Sequence, residues 1–274
     1  MVSAPPNPNP SAHLPPPSPT IAPTPRPLAG KVALITGSSR SIGASIAKRL
    51  AADGADVVVN YHRTAADAER TAYFINSLDG GRAFIVRADV STPAGGRALL
   101  KECIRLLGAP DILVLNAGVM GHTPLDQTGE KEFDAHVNTN VKGPLFLIQA
   151  AAKVMKEGGR IVFVSTALTR ASTVLPMGLL FCTSKGAVEQ LVRILAKDLG
   201  ERGITVNAIS PGAVDTPLFR AGKPTQMIKW VASLNPQNRI PLPEEISPMV
   251  AFLVSEEAQW VNGQIIGVNG AFVV

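Results

Sequence analysis

The chain has 274 residues, 46% of them apolar, and carries a formal charge of +5 at neutral pH. Its basic residues are scattered rather than clustered, which argues against nucleic acid as a partner and favours a small polyanion. The two cysteines, Cys103 and Cys182, show no metal-ligand spacing, and no apolar run reaches the ~18 residues that cross a bilayer, so we predict a cytoplasmic protein without a metal site or a membrane partner.

The first 27 residues are rich in proline. Eleven of the 23 prolines fall here, together with one arginine, Arg26, and no acidic residue. Such a segment cannot bury enough apolar surface to offset the entropy that ordering would cost. We therefore predict a disordered tail over residues 1–27 and a single domain over residues 28–274.

Beyond the tail, short runs rich in Val and Ile alternate with longer amphipathic stretches. The runs occupy residues 31–36, 56–60, 82–87, 111–116, 160–165, 204–209 and 264–268. They are nearly unbroken by polar residues, as strands buried on both faces of a parallel sheet are. The helix-like stretches cover residues 41–53, 64–78, 92–107, 129–156 and 181–201. This alternation predicts an α/β fold with a doubly wound parallel sheet, built from right-handed βαβ units.

The segment 211–244 interrupts this alternation with six prolines. It follows the carboxyl end of a predicted strand, where such sheets bind ligands, and we interpret it as a lid. Its apolar residues include Leu218, Phe219, Met227, Ile228 and Trp230, and a second apolar stretch covers residues 174–180. These walls predict a lipophilic small molecule as ligand, although the same residues would also suit the core or a subunit interface.

A glycine-rich turn follows the first apolar run, with the sequence Thr36-Gly37-Ser38-Ser39-Arg40-Ser41-Ile42-Gly43. Between a buried strand and a helix, such a turn presents backbone N–H groups to a pyrophosphate. Taken alone, the turn would also suit an ordinary connection between a strand and a helix.

The turn resembles the T-G-x-x-x-G-x-G signature of the short-chain dehydrogenase/reductase family, with Ser41 in place of the middle glycine. Further family motifs follow in order over residues 28–272: Asp89-Val90, Asn116-Ala117-Gly118, Asn140 with Gly143, Pro211-Gly212 and Thr216. Within the family, the chain is similar to fungal and plant NADPH-dependent carbonyl reductases of the hydroxynaphthalene-reductase type. The resemblance implies a Rossmann fold whose cofactor is held by Gly37, Ser39, Arg40, Ser41, Ile42, Gly43, Asn60, Arg63, Asp89, Val90, Asn116, Ala117, Gly118, Lys185, Pro211, Gly212, Val214 and Thr216.

The end of the second predicted strand indicates which dinucleotide is bound. NAD enzymes place a carboxylate there, which binds the ribose 2′-hydroxyl. This chain has no carboxylate from Asn60 to Arg63, and a second arginine, Arg40, lies in the glycine-rich turn. Guanidinium groups pair well with a 2′-phosphate, so we predict NADP(H) as cofactor; the alternative is that both arginines are solvated surface charges.

The resemblance also implies four catalytic groups, an Asn, a Ser, a Tyr and a Lys, the last two spaced Y-x-x-x-K on one helix face. Asn140 and Lys185 match, but Phe181 occupies the position of the proton-donating tyrosine. The serine position falls at Thr166 when counted along the strand, and at Ser165 if the following connection is longer than usual. We therefore predict a degenerate catalytic set.

Few other side chains are placed to supply the missing proton. The two tyrosines, Tyr61 and Tyr73, fall on the adenine side of the predicted site. His122 follows the Asn-Ala-Gly motif at the rim and titrates near neutrality, but a solvated loop histidine is the simpler interpretation. We expect His136 to be structural or solvent-facing, and Asp215 to cap a helix.

Three functions are compatible with these residues: an NADPH-dependent carbonyl reductase of secondary metabolism with a weakened acid, a non-redox isomerase or cyclase, and a catalytically silent NADP-binding protein. Retention of Asn140, Lys185 and Thr216 favours cofactor binding. We also expect a homodimer or homotetramer, because related reductases pair through the helices that correspond to residues 129–156 and 181–201.

Overall fold

The computed structural model describes Met1 and residues 26–274. The predicted tail, residues 1–27, lies almost wholly outside the described residues. From Leu28 onward the chain is part of the fold: the Leu28 side chain is buried in the core, and its N–H donates to the Asp53 carbonyl oxygen at 2.8 Å.

Seven parallel strands form one sheet, in the order β3-β2-β1-β4-β5-β6-β7. The strands are β1 Val32–Ile35, β2 Asp56–Tyr61, β3 Ala83–Arg87, β4 Ile112–Leu115, β5 Arg160–Val164, β6 Thr205–Pro211 and β7 Ile265–Val268. All seven predicted strands are present, with ends that differ by one or two residues from the expected ones. The order of the strands reverses between β1 and β4, and this is the switch point at which doubly wound sheets bind ligands.

Helices cover both faces of the sheet. They are α1 Ser41–Ala52, α2 Ala65–Asn76, α3 Pro93–Leu107, α4 Glu130–Val137, α5 Gly143–Ala151, α6 Leu179–Asp198, α7 Pro217–Arg220, α8 Thr225–Ser233 and α9 Ser247–Val254. Successive strand residues enter two separate cores: in β1, Ile35 packs with α1, α2 and α9, whereas Leu34 packs with α3, α5 and α6. Both side chains are fully buried, so truncating either to alanine would cost about 2–5 kcal/mol.

The sequence predicted one continuous helix over residues 129–156, and this prediction is wrong in two respects. Its middle, Asn138–Lys142, forms a π-helical turn between α4 and α5, and α5 already ends at Ala151. The chain is closely packed at the end of this turn: a Cβ on Gly143 would stand 2.0 Å from the Val90 carbonyl oxygen, so the start of α5 passes the segment after β3 at a distance that only glycine permits.

The proline-rich segment after β6 contains two short helices, α7 and α8, in which no residue is buried. Leu218 of α7 is 51% exposed and Trp230 of α8 is 43% exposed. Apolar side chains in that state form a cover over the carboxyl end of the sheet rather than part of the core, as a lid does. Among residues 26–274, none of the helices is both long and apolar enough to cross a membrane.

Candidate active site

A cavity of about 750 Å³ runs along the carboxyl ends of the strands. Within the described residues its wall includes five basic side chains, Arg40, Arg63, Lys185, Lys223 and Arg239, and one carboxylate, Asp89. Because charges of one sign in a cleft raise the local concentration of the opposite ion, this wall suits a polyanionic ligand. Every residue that the sequence assigned to cofactor binding or catalysis lines this cavity except Asn140, whereas Pro176, Leu179, Leu180 and Ile228 of the predicted apolar walls do not line it.

The glycine-rich turn is held by side chains from the neighbouring strands. The Asn60 Oδ1 atom accepts from the Gly37 N–H at 3.0 Å, and its Nδ2 donates to the Val86 and Ala88 carbonyl oxygens at 3.3 and 3.2 Å. Both ends of this buried amide are therefore engaged inside the protein. The sequence placed Asn60 among the cofactor ligands. Its side chain instead holds the turn in place through hydrogen bonds within the protein, and it offers no unpaired polar atom to a ligand.

Asn116 and Gly43 set the distance between the turn and β4. Nδ2 of Asn116 donates to the carbonyl oxygens of Thr36 and Gly37, each at 3.0 Å. A Cβ on Gly43 would stand 2.5 Å from that Nδ2 atom and 2.5 Å from the Gly37 carbonyl oxygen. The first turn of α1 thus approaches the strand ends as closely as a glycine permits.

The N-terminus of α1 opens into the cavity without a cap. Arg40 occupies the N-cap position, its side chain makes no capping hydrogen bond, and the first turn holds no acidic residue. Ser41 and Gly43 line the cavity at this point. Unpaired backbone N–H groups and the positive end of the helix dipole favour an anion, so this terminus fits the pyrophosphate of a dinucleotide.

Ser41 adopts a left-handed backbone conformation, with φ of 56°. Only glycine enters this region without a steric penalty, and for other residues it costs roughly 1–2 kcal/mol. This backbone conformation explains why the signature has a glycine at this position, and it strains the serine. Hydrogen bonds from Asn60 and Asn116 hold the loop on both sides at Gly37.

The two arginines at the adenosine end are arranged differently. Arg40 Nη1 lies 3.5 Å from Asp67 Oδ2 on α2, which orients the guanidinium at the cavity wall. Arg63 follows β2 and lines the same wall without forming an ion pair among residues 26–274. Two guanidinium groups at the place where a carboxylate would select NAD fit a 2′-phosphate.

Lys185 is buried on α6 beneath the cavity. Its Nζ donates to the Val164 carbonyl oxygen at 2.6 Å, and only 5% of the residue is exposed. Burial lowers the pKa of the ammonium to about 8, and no carboxylate within the described part of the chain neutralises it. A cation with unused N–H groups in this position suits ribose hydroxyls.

Phe181 lies one helical turn before Lys185 and borders the cavity. The centroid of its ring is 5.9 Å from Lys185 Nζ. The side chain therefore occupies the place beside the ammonium where a phenol would meet it, and it brings no hydroxyl. Tyr61 does not replace it, because the end of β2 lies three strands, roughly 14 Å, from the end of β5.

Asn140 lies behind the cavity wall, in the π-helical turn. Its Oδ1 accepts from the Val119 N–H at 2.9 Å, and its Nδ2 donates to the Val119 carbonyl oxygen at 3.0 Å and to Ser184 Oγ at 2.9 Å. These bonds tie the Asn-Ala-Gly strand end to α6. In this structure Asn140 therefore positions the wall and does not face the ligand.

The two candidates for the serine position differ in what their hydroxyls do. Ser165 Oγ donates to Glu189 Oε1 at 2.9 Å, and Thr169 Oγ1 donates to the same oxygen at 2.8 Å. Thr166 Oγ1 accepts from the Leu168 N–H at 3.3 Å, while its own proton has no acceptor among residues 26–274. Because the Ser165 proton is committed to a buried carboxylate, Thr166 is the better placed donor to a substrate oxygen.

Three further expectations have clear outcomes. His136 is structural: it is buried, Nδ1 donates to the Glu132 carbonyl oxygen at 2.8 Å, and Nε2 accepts from the Gly121 N–H at 2.9 Å. The expectation that Asp215 caps a helix is wrong, since it pairs with Arg220 at 2.8 Å. Thr216 provides that cap, and its Oγ1 accepts from the Phe219 N–H at 3.1 Å.

The sequence pattern missed three residues that shape the site: Asp67, Glu189 and Lys223. Asp67 and Glu189 lie on helices where a carboxylate looks like an ordinary surface residue, and only their partners at the cavity, Arg40 and Ser165, distinguish them. Lys223 lines the cavity from the lid, and its Nζ lies 3.2 Å from His122 Nε2, which is 101 residues away in the chain. No local signal could have linked the two.

A parallel sheet with this switch point, an uncapped helix N-terminus above it and a basic cavity define a dinucleotide-binding α/β protein. The chain belongs to the short-chain dehydrogenase/reductase family: the family model described as enoyl-(acyl carrier protein) reductase matches residues 37–272. An NADPH-dependent aldehyde reductase-like protein, chloroplastic, of Arabidopsis thaliana is 39% identical over 267 aligned positions, and the match covers 93% of this chain and 98% of that protein.

Two other relatives cover nearly the whole domain. Versicolorin reductase 1 of Aspergillus parasiticus is 39% identical over 254 aligned positions, and the match covers 89% of this chain and 96% of that protein. The crystal structure of landomycin C-6 ketoreductase LanV with bound NADP and rabelomycin is 37% identical, has a TM-score of 0.80, and matches 89% of this chain and 97% of that chain. The protein is accordingly an NADP(H)-dependent oxidoreductase of this family.

Proposed function

We propose that this oxidoreductase uses NADPH to reduce the carbonyl group of a lipophilic compound of secondary metabolism, and that it does so with an incomplete catalytic set. The observation that carries the proposal is Lys185, which stays buried and unpaired beneath the cavity although its tyrosine partner is replaced by Phe181. A buried ammonium without a counter-charge destabilises the fold. Its presence is therefore best explained if it binds a ligand. The names versicolorin reductase and C-6 ketoreductase among the relatives support the substrate class.

Each part of NADPH has matching groups in the chain. Arg40 and Arg63 would hold the 2′-phosphate, the N-terminus of α1 the pyrophosphate, and Lys185 the ribose hydroxyls. Bound NADPH supplies the hydride. The apolar walls, among them Leu175 and Met177, would cover a lipophilic substrate and exclude water.

Reduction of a carbonyl also needs one proton at the oxygen, and Phe181 offers no phenol beside Lys185 to supply it. The Thr166 hydroxyl is free to donate a hydrogen bond to the carbonyl oxygen and orient it. The Lys185 ammonium, whose pKa of about 8 lies near neutrality, is the acid that remains, acting directly or through water. We therefore expect turnover that is slow but measurable.

The experiment has two stages. Binding of NADPH and of NADH is measured first, by the change in nucleotide fluorescence, and tighter binding of NADPH is expected. NADPH consumption is then followed with a panel of lipophilic ketones, with short aliphatic ketones as the comparison set. Tight NADPH binding without consumption by any ketone would contradict the reductase proposal.

The loss of the phenol specifically favours a second candidate, a non-redox isomerase or cyclase that keeps NADP as a bound scaffold. Proton transfer to and from Lys185 and Thr166 would suffice for such a reaction, and no hydride would move. The two functions differ in the mass of the product. Reduction adds two hydrogen atoms to the ligand and oxidises one NADPH, whereas isomerisation leaves both unchanged.

We propose that the chain forms a homodimer or homotetramer through α4, α5 and α6. Phe133 of α4 and Ile194 of α6 are both exposed. Exposed large apolar side chains on neighbouring helices are typical of an interface that burial would stabilise. Light scattering at micromolar concentration should give the mass of an oligomer, and Ile194→Lys should lower it; a monomeric wild type would refute the proposal.

We also propose that the protein works in the cytoplasm. Both cysteines are free thiols, and burial raises the pKa of Cys103 to about 12. Such thiols need no oxidising compartment and resist oxidation in a reducing one. Fractionation of the source cells, with detection by a specific antibody, tests this proposal. Recovery of the protein from an organelle would contradict it; the name of the plant relative places that protein in the chloroplast.

A further inference from the structure

Two polar side chains meet at the lid end of the cavity, beside several apolar residues. Lys223, between α7 and α8, has its Nζ 3.2 Å from Nε2 of His122 and donates to the Phe219 carbonyl oxygen at 2.7 Å. Both side chains line the cavity, together with Met227 and Trp230. Burial is the main cause that lowers the pKa of His122, and Lys223 adds to it, so the neutral ring accepts from the ammonium.

Lys223, Arg63 and Lys185 are the cavity cations that form no ion pair among residues 26–274, and Lys223 is the one of these three that has no proposed role in holding NADPH. Arg40 pairs with Asp67, and Arg239 pairs with Glu245 through two bonds of 2.7 Å. Within residues 26–274, no carboxylate lies within 4 Å of the Lys223 ammonium, whose nearest polar neighbours are the imidazole and one carbonyl. An ammonium has three donors, and here two are used.

The same geometry argues against His122 as the missing proton donor. A protonated imidazole beside an ammonium would place two positive charges about 3 Å apart, which is strongly unfavourable. The pair instead presents one positive charge and one free N–H to the ligand. A partly buried charge without a partner gains most from a ligand that brings the opposite charge.

We propose that Lys223, oriented by His122, binds an anionic oxygen of the lipophilic ligand, a carboxylate or the oxygen of an acidic phenol or enol. This proposal assigns a substrate class to the cavity. It rests on the proposed function only because it requires a lipophilic ligand there. The apolar part of the ligand lies against Met227 and Trp230, and its oxyanion meets Lys223. Lys223 is thus a specificity-determining residue that takes no part in hydride transfer.

The test compares charged and neutral ligands of the same shape. Binding of 2-naphthoate and of 2-naphthamide to the NADP⁺-loaded protein is measured by calorimetry and by quenching of Trp230. Replacing the exposed Trp260, the chain's second tryptophan, by phenylalanine isolates that signal. The anion is expected to bind about tenfold more tightly, the amount that one charge-assisted hydrogen bond contributes.

Variants decide whether Lys223 is responsible. Lys223→Met should abolish the preference for the anion, and Lys223→Arg should keep most of it. Lys229→Met is the matched control, because Lys229 is exposed on α8 and does not line the cavity; it should change nothing. Thermal melts confirm that each variant is folded.

A second pair of probes separates the two sources of the oxyanion. 2-Hydroxy-1,4-naphthoquinone, an enolate at neutral pH, is compared with its neutral methyl ether in the same titrations. A preference for either anion supports the proposal and identifies the source. Equal affinity within both pairs, or a preference that survives Lys223→Met, would overturn it. Failure of NADPH to bind would instead refute the proposed function, and the ligand titrations on the free protein would still report on Lys223.

Discussion

Replacing Phe181 with tyrosine would add one oxygen to the cavity at the first turn of α6. The ring centroid lies 5.9 Å from Lys185 Nζ. The ammonium lies over the ring, and a phenol oxygen would stand roughly 3 Å from the ring centre, so the hydroxyl would be close enough to Lys185 for the positive charge to act on it. Because Phe181 borders the cavity and is only half-buried, the new oxygen meets open space, and the fold should accept it with little change in stability.

The expected gain follows from the chemistry of a positioned acid. The Lys185 ammonium favours the ionised form of a neighbouring phenol and so lowers its pKa toward neutrality. A general acid placed in this way accelerates proton transfer by roughly 10²–10⁴-fold, or about 3–5 kcal/mol of transition-state free energy. We expect kcat for a lipophilic ketone to rise at least about tenfold, with KM little changed, because the new bond strengthens mainly in the transition state.

The assay is NADPH consumption under saturating cofactor, measured from acid to alkaline pH. Phe74→Tyr is the matched control: a lysine ammonium, that of Lys48, also lies over its ring, at 4.5 Å, but the residue is exposed on α2 outside the cavity. This control adds the same oxygen beside the same kind of charge. It should leave kcat unchanged, whereas Phe181→Tyr should also alter the pH profile.

Two results would refute this reasoning. If the wild type already turns over at ordinary rates and Phe181→Tyr adds nothing, the proton comes from elsewhere and the phenol position is dispensable. If NADPH binds but neither form oxidises it with any ketone, while a ligand is converted without change of mass, the non-redox function is the correct one. A gain of tenfold or more would identify a reductase that lacks its donor.

Three further predictions concern the cofactor site. Arg40→Ala should weaken NADPH binding by roughly tenfold to a hundredfold, because one charge-assisted bond to the 2′-phosphate is lost, and should leave NADH binding unchanged; fluorescence titrations that show equal losses would contradict this. Ser41→Gly should raise the free energy of unfolding by about 1 kcal/mol, seen as a higher Tm, because glycine adopts φ of 56° without steric cost; a lower Tm would count against strain at this residue. Lys185→Met should weaken NADPH binding yet stabilise the cofactor-free chain at pH 7 by up to about 3 kcal/mol. Folding lowers the pKa of Lys185 from 10.5 to about 8, so wild-type stability rises across this interval, and denaturation curves of the two proteins should converge toward pH 10.5.

Much of the fold could be predicted from the sequence, because the signals are local. A strand buried on both faces reads as an apolar run, and all seven such runs became strands of one sheet. The glycine-rich turn, the Asn-Ala-Gly motif and Lys185 were likewise recognisable by spacing, and all line one cavity. The substitution at Phe181 needed no structure either, since a missing hydroxyl is a property of the residue itself.

Only the tertiary structure decided the contacts between residues that are far apart in the chain. The close approach of Gly143 to the Val90 carbonyl oxygen joins two separate segments of the chain. Ser165 and Thr166 could be told apart only when Glu189, on a different element, was seen to accept the Ser165 proton. His122 looked like a possible acid until Lys223, 101 residues away, was found beside it. Sequence patterns report whether a residue is buried and in which element it lies, but the hydrogen bonds and charges around a buried polar group are set by whichever strands and helices the fold brings together.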